Sequence, residues 1–160
     1  MKRLASSKHC FVCGVENEAG LKLALYSERE GHVTGKFVIP ERFQGWPGIA
    51  HGGVLAAILD EAAGRTADTE AIPTNFYVTG SLSVKYRHPV KCGIPLIIEA
   101  ELVSRKGRVV NGRSWIMDES KLVLAEANIT YVQVDSNIIK DHSDSADEWV
   151  LDQGQENSDD

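Results

Sequence analysis

Gly45-Trp-Pro-Gly-Ile-Ala-His-Gly-Gly-Val-Leu-Ala-Ala-Ile-Leu-Asp-Glu-Ala-Ala-Gly64 is the stretch on which the reading of the fold turns. From Val54 to Ala63 it is almost wholly apolar, rich in Ala and Leu, and free of proline. This composition predicts a helix over about Gly53–Thr69, apolar on nearly every face and so buried on nearly every face. Two features depart from an ordinary core helix. The start is His51-Gly52-Gly53, without the Ser, Thr, Asp or Asn that usually caps one. A carboxylate, Asp60, interrupts a run that should be dry.

The first amides of a helix lack intrahelical partners, and the helix dipole makes that end electropositive. With no side-chain oxygen to cap them, and with Gly52 and Gly53 clearing the approach, those N–H groups are expected to face a ligand oxygen. Asp60 follows Gly52 by a little over two turns. A small molecule lying along the helix is therefore expected to meet an N–H donor and a carboxylate together. The bland alternatives are a tight Gly-Gly turn, and an Asp60 that reaches solvent or pairs with Arg65. A buried carboxylate is costly unless it is paired or functional, which favours the functional reading.

The length of 160 residues suits one domain with a substantial core. No segment is apolar for long enough to span a bilayer, and Met1–Lys8 lacks the apolar core of a signal peptide, so a cytoplasmic location and no membrane partner are expected. The formal charge of -6 is unevenly placed. Residues 136–160 hold eight acidic groups and one lysine, which leaves residues 1–135 near +1. That balance gives no nucleic-acid surface. The acidic tail, 136–160, reads as disordered, with Trp149-Val150-Leu151 able to dock. Cys10 and Cys13 form a single CxxC after His9, and Cys92 stands apart. Zinc would need four ligands, with His9 and Cys92 recruited from elsewhere; two reduced thiols in an N-terminal loop, and no metal, is the preferred reading.

Residues 1–19 read as an irregular arm. Leu21–Tyr26 and His32–Ile39 read as a hairpin around the turn Glu28–Gly31, stopped by Pro40. After the helix, Val78–Arg87, Ile94–Val103, Val109–Met117 and Lys121–Val134 alternate with period two. In the first, Leu82, Val84 and Tyr86 form the face expected to be buried. Short separators such as Lys91–Gly93 and Arg105–Gly107 favour antiparallel neighbours, hence a four-strand meander. One helix cannot cover both faces of such a sheet. The expected architecture is α+β: a curved antiparallel sheet wrapped around one long central helix, in a single domain of residues 1–135.

This arrangement resembles the hotdog fold. His51-Gly-Gly-x6-Asp60 is similar to the signature of PaaI-like acyl-CoA thioesterases of the 4-hydroxybenzoyl-CoA type. Cys10-Phe-Val-Cys-Gly14, Gly20-Leu-Lys-Leu23 and Phe43-Gln-Gly-Trp-Pro-Gly48 are similar to one bacterial branch of them. The resemblance covers roughly residues 10–134. It implies hydrolysis of an acyl-CoA thioester to a free acid and CoA. The Gly52 amide would bind the carbonyl, and Asp60 would act as base or nucleophile. Gln44 would correspond to the Asn or Gln that holds the water or the carbonyl. Thr79 would lie near the reacting centre, contributed by the other subunit, with His51, Gly53 and Val78 along the substrate. It also implies a homodimer or a dimer of dimers with active sites between subunits, and no cofactor beyond the CoA of the substrate.

A thioester carbonyl gains negative charge as it is attacked, so a backbone donor and a carboxylate suit this chemistry. No Gly-x-Ser-x-Gly elbow offers a serine route. His51 is read as orienting the helix start rather than as a base. Glu61 is an alternative base, about 100° around the helix from Asp60. The phosphates of CoA call for cations, and Lys85, Arg87, Arg105, Lys106 and Arg108 are the candidates. Phe76, Tyr77 and Trp46 are candidates to line the acyl pocket. The competing readings are a non-catalytic acyl-CoA-binding module and a hotdog hydratase or dehydratase. The latter pairs its Asp with a His one turn later, where this chain has Ala63, Gly64 and Arg65.

Overall fold

The computed structural model describes residues 1–135, 137–138 and 148–151. The expectation for the rest of the acidic tail lies outside the described residues. In chain order the strands are β1 (Lys2–Arg3), β2 (Ser6–Ser7), β3 (Tyr26–Arg29) and β4 (His32–Val38). A 3-10 turn, Glu41–Phe43, then leads to the helix α1 (Gly52–Arg65). β5 (Phe76–Tyr86), β6 (Pro95–Lys106), β7 (Val109–Met117), β8 (Val123–Val134) and β9 (Trp149–Val150) follow. Seven strands make one antiparallel sheet in the order β1-β3-β4-β6-β7-β8-β5, and β2 pairs with β9. No helix among the described residues is long and apolar enough to cross a membrane.

The sheet curves around α1, whose Leu55, Ile58, Leu59, Ala62 and Ala63 are fully buried. These positions fall at i, i+3, i+4, i+7 and i+8, a single stripe. They pack against Val33, Ile98, Val110, Ile116 and Ile129 in one core. Ser114 Oγ is buried beneath the helix and donates to the Leu59 carbonyl at 2.8 Å. The expectation of burial on nearly every face is corrected: Val54, Ala56 and Ala57 are only half-buried in the single chain.

Three expectations about strands are also corrected. The arm, residues 1–19, is not wholly irregular: Lys2–Arg3 pairs with β3 and Ser6–Ser7 with β9. The first hairpin strand is Tyr26–Arg29, not Leu21–Tyr26. Lys22 has φ +54°, and Leu21 and Leu23 donate to Phe11 and Val12 of the arm, so this segment joins the N-terminal loop instead of the ladder. The meander holds only for β6-β7-β8. β5 lies beyond β8, paired from Phe76↔Val134 to Tyr86↔Ala125, while β6 joins β4. The chain leaves β5 at one side of the sheet and re-enters at β6, so Lys91–Gly93 is a crossover and not a hairpin turn. This leaves β5 as an edge strand with one side unpaired. Its expected inner face is only partly covered: Val84 packs against the core, but Leu82 is 39% and Tyr86 53% exposed. The helix stripe is too narrow to cover it.

Candidate active site

β5 runs antiparallel to α1 and meets it at two points. Near the helix start, the Tyr86 hydroxyl donates to the Gly52 carbonyl at 2.8 Å. At mid-helix, Thr79 Oγ1 lies 3.0 Å from both Asp60 carboxylate oxygens and donates its single proton between them. From β8, the Tyr131 hydroxyl lies 2.5 Å from the Asp60 main-chain oxygen and 3.1 Å from its Oδ1. Burial, and then the Asp60 charge, push the Tyr131 hydroxyl well above its ordinary range, so it remains a donor. A side chain on Gly64 would lie 3.3 Å from the Tyr131 ring, which makes glycine the residue that admits this approach. Tyr131 was legible only as a core position. The signal available was that a buried tyrosine needs a partner for its hydroxyl.

Asp60 opens into a pocket of about 200 Å³, lined by Phe76, Tyr77, Thr79, Tyr131, Asn75 and Gly64 among others. Asp68 also lines it and accepts from the amides of Glu70, Thr74 and Asn75, which shapes the loop before β5. Glu61 also borders this pocket, and its carboxylate reaches toward the N-terminal arm, where Cys10 Sγ lies 3.6 Å from its Oε2. Burial, and then the Cys10 charge, raise the Glu61 carboxyl to about 7. Arg65 lies over the Trp149 ring, with its guanidinium carbon 5.9 Å from the ring centre, and makes no pair with Asp60.

The helix start differs from the sequence expectation. It is capped: His51 Nδ1 accepts from the Gly53 N–H at 2.9 Å. An imidazole nitrogen serves where an oxygen was sought. Gly53, expected along the substrate, therefore has its amide engaged, and Val54 and Leu55 donate to the His51 carbonyl. The Gly52 amide is left without an acceptor among the described residues. It borders a separate hollow of about 440 Å³ lined by Gly45, Trp46, Ala50, His51 and Gly52. Gln44 lies exposed in the loop before it, and its Oε1 accepts from Gly48 N–H at 2.8 Å. Trp46 is thus at this hollow, away from Phe76 and Tyr77. Val78 is exposed on β5.

The candidate cations separate as well. Arg105 donates to the Tyr77 hydroxyl at 2.6 Å and to the Ala67 carbonyl, which places it behind the Asp60 pocket. Arg108 donates twice to the Gln133 carbonyl, and Arg87 is paired with Glu126 at 2.6 Å. Lys85 and Lys106 are exposed and carry no ion pair among the described residues.

Residues 47–125 match the family model of the thioesterase superfamily. Over that stretch the chain is similar to the thioesterase superfamily. Among curated relatives it is similar to the acyl-coenzyme A thioesterase THEM4 of Rattus norvegicus, with 26% identity over 127 residues, 78% of this chain and 54% of that protein. The chain spans about half the length of the curated relatives it matches. Among solved structures it is similar to RHA08564, a thioesterase superfamily protein, at 28% identity and a TM-score of 0.71, over 78% of this chain and 63% of that one. A hypothetical thioesterase from Streptococcus pneumoniae, solved with coenzyme A, shares the fold at 21% identity and a TM-score of 0.63, over 70% and 85% of the two chains. The seven-stranded sheet around one helix is the hotdog fold expected from the sequence.

Proposed function

We propose that this chain is an acyl-CoA thioesterase that works as a dimer, with Asp60 as the reacting carboxylate and Gly52 N–H as the carbonyl donor. The observation that carries the reading is Asp60 itself: a carboxylate on a core helix, held by the hydroxyls of Thr79 and Tyr131, opening into a small pocket. The two hydroxyls donate to the carboxylate and fix its orientation toward the pocket. In the reaction, water adds to the thioester carbon while Asp60 takes its proton. The C–S bond then breaks, and the CoA sulfur leaves with that proton, giving the acid and the free thiol. If Asp60 attacks directly, a mixed anhydride forms first and water opens it. On that route the CoA thiolate leaves as the anhydride forms; a single turnover in ¹⁸O water that puts label into the Asp60 carboxylate establishes it, with water opening the anhydride at the Asp60 carbon.

Eight residues of helix separate Gly52 from Asp60, about 12 Å of rise, too far for both to touch one carbonyl. A second copy resolves this. Pairing two β5 edges antiparallel about a two-fold near Leu82 and Ser83 would bring Thr79 of each chain opposite the Tyr86 region of the other. Since Thr79 marks Asp60 and Tyr86 marks Gly52, each carboxylate would then face the other chain's helix start. The same pairing would cover Leu82 and Tyr86 and join the two hollows. Thr79 would act on the Asp60 of its own chain, and Gly52 would be the group crossing over. The test is thiol release from a series of acyl-CoA substrates by the parent and by Asp60→Asn. The expected result is a loss of roughly 10²–10⁴-fold in kcat with the dimer retained. Equal turnover by the two proteins would refute the reading, and tight binding without thiol release by the parent would make it a binding module.

A further inference from the structure

The thiols of the N-terminal arm play no part in the site described above, yet they are not placed as loose loop cysteines. The Cys10–Gly14 turn closes with Gly14 N–H donating to the Cys10 carbonyl at 2.9 Å. The amides of Val12 and Cys13 point at Cys10 Sγ, 3.3 and 3.4 Å away. Any side chain on Gly14 would run into the Cys10 backbone, so the turn demands glycine. Amides aimed at a sulfur favour the thiolate over the thiol. The third group comes from α1: the ligand atoms of Cys10, Cys13 and Glu61 all lie within 4.8 Å of one another. Beside them, Arg65 Nε and one terminal nitrogen are buried without a hydrogen-bond partner.

We propose that Cys10, Cys13 and Glu61 form a binding site for a thiolate-preferring divalent cation, Zn²⁺ foremost, which ties the N-terminal arm to α1 one residue beyond Asp60. Two thiolates and a carboxylate suit zinc, whose bonds of about 2.3 Å to sulfur and 2.0–2.2 Å to oxygen need ligand atoms roughly 3.5–4 Å apart. Small rotamer adjustments bring the observed cluster to that spacing. On binding, the two thiols, and Glu61 where it is protonated, release their protons to solvent, and the sulfur and carboxylate lone pairs take the metal. Two thiolates, one carboxylate, the cation and the Arg65 guanidinium then sum to neutrality, which gives the buried arginine a reason to be there. Three protein ligands leave a fourth position for water. The ligands differ from the set the sequence offered. Cys92 lies with Gly48, where its amide donates at 2.9 Å, and His9 is not among the grouped ligands.

The test uses the full chain, reduced and stripped with a chelator, then titrated anaerobically with Co²⁺ and afterwards with Zn²⁺. The expected result is a thiolate-to-cobalt charge-transfer band that saturates at one equivalent per chain and is erased by Zn²⁺. Cys10→Ser and Cys13→Ser abolish the band, Cys92→Ser keeps it, and Glu61→Gln weakens the affinity by at least roughly tenfold, the least that even an outer-shell change costs. Circular dichroism checks that each variant is folded; if a cysteine variant is not, Glu61→Gln decides. A folded, reduced parent with no band overturns the proposal, as does a band that survives Cys10→Ser or vanishes in Cys92→Ser. A Cys10–Cys13 disulfide that forms in air despite saturating Zn²⁺ overturns it too.

Discussion

Asp60 owes its orientation to two hydroxyls from separate strands, and each can be removed without disturbing the core. Tyr131→Phe and Thr79→Ala take away one donor apiece from a charged acceptor. A hydrogen bond to a charged group is worth about 1.5–3 kcal/mol, so each variant is expected to lose roughly 10- to 100-fold in kcat with little change in KM. The double variant should lose less than the product, because both residues position the same carboxylate. Steady-state thiol release measures all three; parent-like kcat in both single variants would show that the contacts are idle. At this scale the sequence was informative where a residue was chemically out of place. Asp60 was visible because a carboxylate broke an apolar run. Tyr131, 71 residues away, looked like any inward position of an alternating strand. Pairing across such a separation is set by the sheet register, which no local pattern records. The His51 cap is not legible for a different reason: preferred caps are oxygens, and an imidazole meets the same need.

Among the elements, the Asp68 loop is the piece most exposed to a single change. One carboxylate accepts from three backbone amides and the Thr74 hydroxyl, and so sets how β5 begins. Burial by itself would raise the Asp68 carboxyl, but the amides of Thr74, Glu70 and Asn75 outweigh it and hold it below its ordinary value. A depressed carboxyl stabilises the fold above the unfolded-state value of about 3.9 and loses that contribution as the pH falls through the folded-state value. Asp68→Ala is therefore expected to speed amide hydrogen exchange of Glu70, Thr74 and Asn75 at neutral pH while the core strands keep their protection. In the parent, the same amides should loosen selectively in acid. Exchange rates unchanged in the variant would show the loop is held by something else. The helix itself is more robust in placement than in packing. Ile58→Ala, at a side chain with no exposed surface, should cost about 2–5 kcal/mol in denaturant unfolding.

For the whole molecule, the proposed mechanism divides each site between two chains, because Gly52 and Asp60 lie too far apart on one helix. If each complete site draws Asp60 from one chain and Gly52 from another, two inactive variants should rescue each other. Gly52→Pro removes the amide at the first helical position, where proline is tolerated, and His51 already has an extended backbone, with ψ 134°. Alone it should lose roughly 10²–10³-fold, the usual worth of one such donor. Mixing Gly52→Pro with Asp60→Asn, then unfolding and refolding together, should restore activity well above either parent variant, because each mixed dimer has one intact site. No rescue would mean that both groups act within one chain. The amino-acid sequence by itself determined the central helix and the long strands after it: a proline-free apolar run makes a helix, period-two alternation over eight or more residues makes strands, and one helix against many strands leaves wrapping as the solution. It also marked Asp60 and the glycine-opened helix start, since both violate what a core helix requires. Only the tertiary structure decided that β5 crosses to the far edge, that Leu82 and Tyr86 on its apolar face stay uncovered, and that Glu61 meets Cys10 while Asp60 meets Thr79 and Tyr131. The physical reason is that propensity and periodicity act over a few residues, whereas strand order and side-chain pairing are fixed by which long-range packing buries the most apolar surface.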